Sequence, residues 1–286
     1  MNQDTISTEV LNDIHLLAEM IQKSKNPVLL TGAGISVASG ISTFRGDDED
    51  AAWKHTEKKQ RVFEYTEEPT EIGTNRYFTN DPVKSWYWYY TRFSSVFDKL
   101  PNPAHYAVRD LQKYCSEQGK NVQLITQNID GLHRKAGSED HIEIHGRADR
   151  IRCTQIGCAN GAPNGSVPLN IDDFQAFVQS PSLEHIPKCS ICNHLLRPHV
   201  LWFDEYYTDH VDFQFYRAED IFAQGDLLIF IGTTLSVGIT YSATRTFEDN
   251  NHPIWLIDPK PIDEGVYTLA GKSEIVLPKL VEVLRT

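Results

Sequence analysis

Nowhere does this sequence approach the ~18 consecutive apolar residues of a membrane-crossing helix, so a membrane-spanning role is excluded. Basic charge is scarce: 27 Lys and Arg stand against 39 Asp and Glu, for a net charge of −12. That balance opposes nonspecific attraction to nucleic acid or anionic membrane, and neither is expected as a direct partner. A locally basic, Lys-rich protein tail stays compatible with it. Cysteine is sparse as well: the five are an odd number in a chain too large to need disulfides. The first residues, Met1 to Val10, are polar and include Asp4 and Glu9. They carry neither the basic start and apolar core of a secretory signal nor an Arg-rich, acid-poor leader. The expectation is a soluble intracellular protein of the cytoplasm.

What is present is an ordinary globular composition, 40% hydrophobic over 286 residues. That length suggests two domains, or one large α/β domain with an insertion. Val10, Leu11, Ile14, Leu17, Ala18 and Ile21 recur at helical spacing, and Pro27 closes that helix before a short buried strand, Val28 to Leu30. Apolar runs at Val122 to Thr126, Leu227 to Gly232 and Ile254 to Asp258 read as further buried strands. His105 to Tyr114 and Leu277 to Leu284 read as helices. Alternating strands and helices predict an α/β fold, a Rossmann-like doubly wound parallel sheet. Two segments break the rhythm: residues 47 to 100, rich in Trp and Tyr, and residues 150 to 200, loop-like. They predict a smaller helical and zinc-binding lobe on one domain spanning 1–286.

Gly32-Ala33-Gly34-Ile35-Ser36 follows a strand and leads into a predicted helix, a context in which backbone N–H groups can face a pyrophosphate. Val37 stands where the dinucleotide fingerprint places its third Gly, and no strand-end acid follows about 20 residues on. Taken alone, the segment is either a nucleotide turn or an ordinary strand–helix turn, and hydride transfer is disfavoured. Gln127-Asn128-Ile129-Asp130 stands at the carboxyl end of a predicted strand, either a polar cap or a set of groups able to fix a ribose and a carboxamide. His145, after Ile142-Glu143-Ile144 and before Gly146, is either structural or a general base, since imidazole titrates near pH 6.5.

Cys153-x4-Cys158 and Cys189-x2-Cys192 provide two short-spaced thiolate pairs. Two such pairs can close around one tetrahedral Zn, and four thiolates leave no open position, so the site should be structural. The alternative is four reduced cysteines without metal. Cys115, at helical spacing from Leu111, reads as a buried apolar residue. In Trp86-Tyr87-Trp88-Tyr89-Tyr90-Thr91-Arg92, the bland reading is a helix packing its aromatics inward with Arg92 solvated. The sharper one notes that Tyr89 and Arg92, three apart on a helix, project from one face and could hold a carboxylate.

Several long motifs in one order change these readings. Gly32 to Gly46, Thr126 to His133 followed by His145-Gly146, Arg197 to Phe203, and Gly232-Thr233-Thr234-Leu235-Ser236-Val237 resemble the signature of the sirtuins, the NAD-dependent protein deacylases. The resemblance runs from about residue 20 to the C-terminus. It implies NAD as co-substrate, contacted by Gly32, Ala33, Gly34, Ser36, Thr43, Phe44, Arg45, Gln127, Asn128, Ile129, Asp130, Gly232, Thr233 and Thr234, with Asp258, Pro259, Lys260 and Ser273 nearer the adenosine. It implies His145 as base and Asn128 as its catalytic companion, with Phe44 shielding the reactive ribose and Arg45 on the phosphates. Val200, Trp202 and Phe203 would take the substrate peptide, an acylated-lysine protein. The family pattern favours four cysteines at one zinc over a ligand drawn from His185, His194 or His199. In sirtuins that remove succinyl, malonyl or glutaryl groups, a Tyr-x-x-Arg pair like Tyr89 and Arg92 ends the acyl pocket.

The implied reaction starts when the acyl-lysine carbonyl oxygen attacks the ribose carbon bearing nicotinamide, and nicotinamide leaves. His145 takes a proton from the ribose hydroxyl system, a neighbouring hydroxyl attacks the imidate, and water completes release of lysine and O-acyl-ADP-ribose. Three departures stand out: the acidic run Asp47-Asp48-Glu49-Asp50 replaces a small turn, Asp204 replaces a Gly next to the peptide-pairing strand, and Asp258-Pro259-Lys260 replaces an Asn-led segment. Two competing readings follow. An ADP-ribosyltransferase or NAD hydrolase would keep the NAD chemistry and change the acceptor. A non-catalytic NAD-binding module would leave His145 without a task.

Overall fold

The computed structural model describes residues 6–42, 63, 67–260 and 265–286. The roles expected of Thr43, Phe44 and Arg45, and the acidic run from Asp47 to Asp50, lie outside them. The described strands are β1 (Pro27–Thr31), β2 (Gln123–Thr126), β3 (His141–Glu143), β4 (Gly146–Cys153), β5 (Val167–Pro168), β6 (Leu196–Val200), β7 (Leu227–Ile231), β8 (Ile254–Asp258) and β9 (Tyr267–Ala270). The described α-helices are α1 (Thr8–Lys23), α2 (Pro69–Ile72), α3 (Asn75–Asn80), α4 (Pro82–Phe93), α5 (Pro103–Glu117), α6 (Leu132–Ala136), α7 (Gln175–Gln179), α8 (Phe215–Gln224), α9 (Gly238–Asp249) and α10 (Ser273–Arg285).

Strands in the order β3-β2-β1-β7-β8-β9 pair in parallel throughout. Their side chains alternate between two cores, which is why the central strands are apolar on both faces. Leu29, Leu124, Ile229 and Ile257 pack with α1, α5 and α10, whereas Val28, Leu30, Ile125, Phe230 and Leu256 pack with α8 and α9. The doubly wound sheet expected from the sequence is therefore present. Because β1 lies between β2 and β7, the chain leaves it toward opposite sides of the sheet, and a crevice opens at its carboxyl end.

Local chemistry sets where the helices start. Ser7 accepts from Val10 N–H at the start of α1. Asn102 accepts from Ala104 N–H at the start of α5, and such caps contribute ~1 kcal/mol each. The Asn102 amide also donates to Ile35 O at 2.7 Å and to Ser39 Oγ at 3.0 Å. Those bonds explain one difference from the sequence reading. The segment after the glycine turn, Ala33–Ser39, is a 3₁₀ helix ending at left-handed Gly40, because Asn102 takes the Ile35 carbonyl that a longer α-helix would use.

The smaller lobe has its own core, including Phe78, Trp86, Trp88, Tyr89, Ile151, Phe174, Trp202 and three of the cysteines. Here the loop-like expectation for 150–200 is corrected: β5, β4 and β6 form an antiparallel sheet. The alternation of β4 is hidden by its arginines, two of which are held by ion pairs and the third by Ser166 rather than left in water. Arg147 bonds Asp149 at 2.9 Å, and Arg152 bonds Glu205 at 2.8 Å.

Candidate active site

Backbone turns interlock at the carboxyl ends of β1 and β7. Gly34 N–H donates to Gly232 O at 2.8 Å, and Gly32 N–H donates to Ile231 O at 2.9 Å. A Cβ on Gly34 would lie 2.6 Å from Gly232 Cα, and one on Gly32 would lie 2.7 Å from Gly232 O. Gly232 itself has φ +60°. Only residues without a side chain allow this approach, so the glycines serve loop against loop as well as any ligand.

The 127–130 segment turns over this junction. Asn128 Nδ2 donates to Gly32 O (3.0 Å) and to Ser36 Oγ (3.1 Å). Ser36 Oγ donates to Asp130 Oδ2 at 2.7 Å, and Leu132 N–H donates to Asp130 Oδ1 at 2.8 Å. Burial pushes the Asp130 carboxyl above its ordinary range, while those two donors pull it back. Gln127 Nε2 donates to Thr233 Oγ1 at 3.1 Å, which ties the β2 end to the β7 end. Thr234 is exposed and bonded to Ser236 (2.9 Å). Ala33 is half-buried within the turn. Farther along the sheet edge, Lys260 N–H bonds Asp258 Oδ1 (2.9 Å), Pro259 follows the end of β8, and Ser273 is buried in the first turn of α10.

His145 sits between β3 and β4, half-buried, with both ring nitrogens engaged. Nδ1 is 2.9 Å from Gln127 O, and Nε2 is 3.2 Å from Tyr207 Oη. A carbonyl can only accept, so Nδ1 carries the proton and Nε2 presents its lone pair to the Tyr207 hydroxyl. That hydroxyl in turn accepts from Ile239 N–H (3.3 Å), and the Tyr207 ring stacks on His145 with centroids 5.8 Å apart. Burial lowers the imidazole pKa to about 4, against the Gln127 carbonyl, which raises it. The ring is therefore neutral at physiological pH and is a proton acceptor at Nε2.

Sequence reasoning missed Tyr207, because nothing local links it to His145. It also missed the support beneath the site. Thr31 Oγ1 bonds Thr126 Oγ1 (2.8 Å) and lies 3.0 Å from His133 Nε2, and His105 Nε2 lies 3.4 Å from Ser36 Oγ. Burial lowers His105 to about 4 and His133 well below its usual value. Both rings fold neutral, whereas the unfolded chain takes up their protons as pH falls through ~6.5. Their contribution is thus complete above that pH and is lost as pH drops toward 4. His105 alone should cost ~2 kcal/mol between pH 7 and pH 5. Urea midpoints that stay level over that interval would contradict it.

A partly open cavity is lined among others by Trp86, Tyr89, Phe93, Ile129, Phe174 and Val200. Arg150 also lines it, held by Ser166 at 2.7 Å from Nε. Tyr89 is buried against the rings of Phe93 (5.4 Å) and Trp202 (6.0 Å), whereas the Arg92 guanidinium lies 4.8 Å over the Trp88 ring. Trp88 is a neighbour of both, its ring 4.9 Å from that of Tyr89. Trp202 is buried in the lobe core, and Phe203 is half-exposed, its N–H bonded to Gly73 O at 3.0 Å. Asp204 accepts from the N–H groups of Asn75 and Arg76 at 2.6 and 3.0 Å. This departure acts as an anchor for the start of α3.

The four sulfurs come together at the edge of the lobe. Cys153–Cys192, Cys158–Cys189 and Cys158–Cys192 are separated by 3.4, 3.8 and 3.7 Å. Those distances are far too long for disulfides. They match the edge of a tetrahedron with Zn–S bonds of ~2.3 Å, about 3.8 Å. Gln155 N–H and Asn160 Nδ2 approach Cys153 and Cys189, outer contacts of the sort that orient thiolate ligands. The donor set fits a closed, structural zinc.

A family model described as the Sir2 family matches residues 32–238. The chain belongs to the Sir2 family. Among relatives of this Sir2-family chain is the "NAD-dependent protein deacylase 1" of Archaeoglobus fulgidus, 34% identical over 275 residues, 94% of this chain and 97% of that protein. Another is an "NAD-dependent protein deacylase" of Thermus thermophilus, 33% identical over 241 residues, 84% of this chain and 82% of that protein. Among solved structures, a Sir2 homologue–NAD complex superimposes with a TM-score of 0.74 at 33% identity, covering 94% of this chain and 93% of that one. Among the described residues no helix is long and apolar enough to cross a membrane.

Proposed function

We propose that this Sir2-family chain is an NAD-dependent protein lysine deacylase working inside the cell, where four cysteines stay reduced for zinc. The observation that carries the proposal is the neutral His145, with Nδ1 fixed by Gln127 and a lone pair at Nε2 beside the glycine junction. Ser36, Gln127, Asn128, Asp130 and Thr233 supply the hydroxyl, amide and carboxyl groups that a ribose and a carboxamide require. Bound NAD supplies the electrophilic ribose carbon that accepts the acyl oxygen as nicotinamide leaves.

The chain's own residues do the rest. Asn128 is fixed by Gly32 and Ser36, so its orientation costs nothing at the moment of reaction. His145 Nε2 takes the ribose hydroxyl proton after giving up the Tyr207 hydroxyl, which turns toward that proton or leaves. Ile129 and Val200 line the apolar cavity, which would hold the acyl chain. Cys153, Cys158, Cys189 and Cys192 would hold zinc and brace the lobe that carries one cavity wall.

The cavity's largely aromatic and aliphatic wall favours acetyl or longer uncharged acyl groups. A second reading, removal of succinyl or malonyl groups, is supported by Tyr89 and Arg150 on the wall, with Arg92 over Trp88 close by. One Lys peptide bearing acetyl, hexanoyl or succinyl, followed by mass spectrometry with and without NAD, separates these readings. Acetyl and hexanoyl removal should exceed succinyl removal about tenfold, the effect of ~1.4 kcal/mol against a carboxylate in an apolar site. Preference for succinyl, lost in Arg92→Met or Arg150→Met, would establish the acidic class instead. Nicotinamide release without any acyl peptide would move the chain to the hydrolase or transferase reading.

A further inference from the structure

Around His199 on β6, a second group of ligand-type atoms converges. The ligand atoms of His199, His210 and Asp212 all lie within 4.8 Å of one another. His199, on β6, is fully buried, and neither of its ring nitrogens makes a protein hydrogen bond. Its Nε2 is 3.2 Å from Asp212 Oδ2, but without hydrogen-bond geometry. A fully buried imidazole whose Nδ1 has no partner and whose Nε2 faces only a carboxylate requires an explanation, since such groups are nearly always paired.

The surroundings supply one. His210 Nε2–H donates to Gly165 O at 3.0 Å, so its lone pair is at Nδ1, 3.8 Å from the same Asp212 Oδ2. Asp212 Oδ2 accepts from Ser166 Oγ at 2.7 Å. A backbone carbonyl behind one imidazole and a hydroxyl behind the carboxylate are the outer contacts that orient metal ligands. Asp212 N–H now donates to His210 Nδ1 at 3.1 Å, and a cation would take its place. The nearby arginines are already engaged: Arg147 with Asp149, Arg150 with Ser166, and Arg152 with Glu205. An adjoining polar, partly open cavity is lined by His199 and Asp212 with Glu143, Arg147 and Gln214, and can bring water to a fourth position.

We propose that His199, His210 and Asp212 form a second metal site, a three-ligand N₂O site for a divalent transition metal of the zinc class, separate from the four cysteines. Two imidazoles and one carboxylate suit Zn²⁺ and its neighbours rather than Ca²⁺ or Mg²⁺, and three protein ligands leave a position for solvent. The site ties β6 to the 207–213 segment. Leu201 N–H bonds His145 O, and Tyr207 bonds the His145 ring, so a metal here would brace the base from two directions. The proposal stands whether or not the chain removes acyl groups.

The test uses full-length protein loaded with Co²⁺. The four-cysteine site gives thiolate-to-cobalt charge-transfer bands and no imidazole resonances. The second site should add one further equivalent of cobalt without new thiolate bands, together with hyperfine-shifted, exchangeable imidazole N–H signals in the proton spectrum. His210→Gln and Asp212→Asn should each lose that equivalent while keeping the thiolate bands, which report that the lobe is folded. Uptake of one equivalent only, or a second equivalent without shifted imidazole signals, overturns the proposal. So does a second equivalent that both variants retain. Should a variant lose the thiolate bands through misfolding, the wild-type imidazole signals decide the matter alone.

Discussion

His145→Ala is expected to lower kcat/KM for an acylated peptide by about 10²- to 10⁴-fold, the span usually associated with a positioned general base. NAD affinity should change little, because the groups placed for the ribose and carboxamide are bonded to one another and to backbone rather than to the imidazole. Only Gln127 connects them, through its carbonyl, while its side-chain amide points to Thr233. Tyr207→Phe is the informative companion. It keeps the stacked ring but removes the hydroxyl on Nε2, so it should change the rate by less than about tenfold, the value of one hydrogen bond. Rate assays with a separate measurement of NAD binding check both. If His145→Ala retained wild-type turnover, or if it lost NAD binding in proportion to rate, the imidazole would not be the base.

Cys189→Ser should act on stability first. Cys153, Cys158 and Cys189 are buried within the same core as Trp86, Trp88 and Trp202, so the thiolate cluster and the lobe's aromatic packing cannot be separated. Zinc binding in small metal-dependent domains amounts to roughly 10–16 kcal/mol, as much as the whole stability of a typical domain. Loss of one ligand is therefore expected to unfold the lobe while the parallel sheet persists. Fluorescence should redden as those three indoles meet water, with Trp255 unchanged in the sheet core, and far-UV dichroism should retain most of its helical signal. An unaltered emission spectrum in Cys189→Ser, or in wild-type protein stripped by a chelator, would show that the lobe does not depend on metal.

Much of the architecture was readable because it rests on local patterns. Continuous apolar runs at 28–30, 227–231 and 254–257, bounded by turn residues, read as strands buried on both faces, and that implies helices on either side. The cysteine pairs were readable for the same reason, since each closes within one turn. What stayed hidden is made by tertiary contact. His145 and Tyr207 are 62 positions apart, and Ser36 and His105 are 69 apart, so no spacing rule brings them together. The strand β4 was obscured by charge, its arginines satisfied by partners such as Glu205 that are distant in sequence. The role of Asp204 also stayed hidden, because the helix end that it holds, at Asn75 and Arg76, cannot be inferred from its neighbours. Tyr89 and Arg92 show the limit of periodicity: both meet Trp88 on the same helix, but only tertiary packing sets Tyr89 against Trp202.

The interlocked glycines of β1 and β7 also bear on how the molecule comes into being. The turn at Gly32–Gly34 is synthesised early, yet the backbone it rests on, Gly232, emerges some two hundred residues later. A nascent chain can assemble β1 with β2 and the zinc lobe while still lacking the other half of its crevice. At translation rates of ~5–20 residues per second, that interval lasts on the order of ten seconds or more. Through it the central strand exposes an unpaired, wholly apolar edge, the kind of surface that chaperones cover.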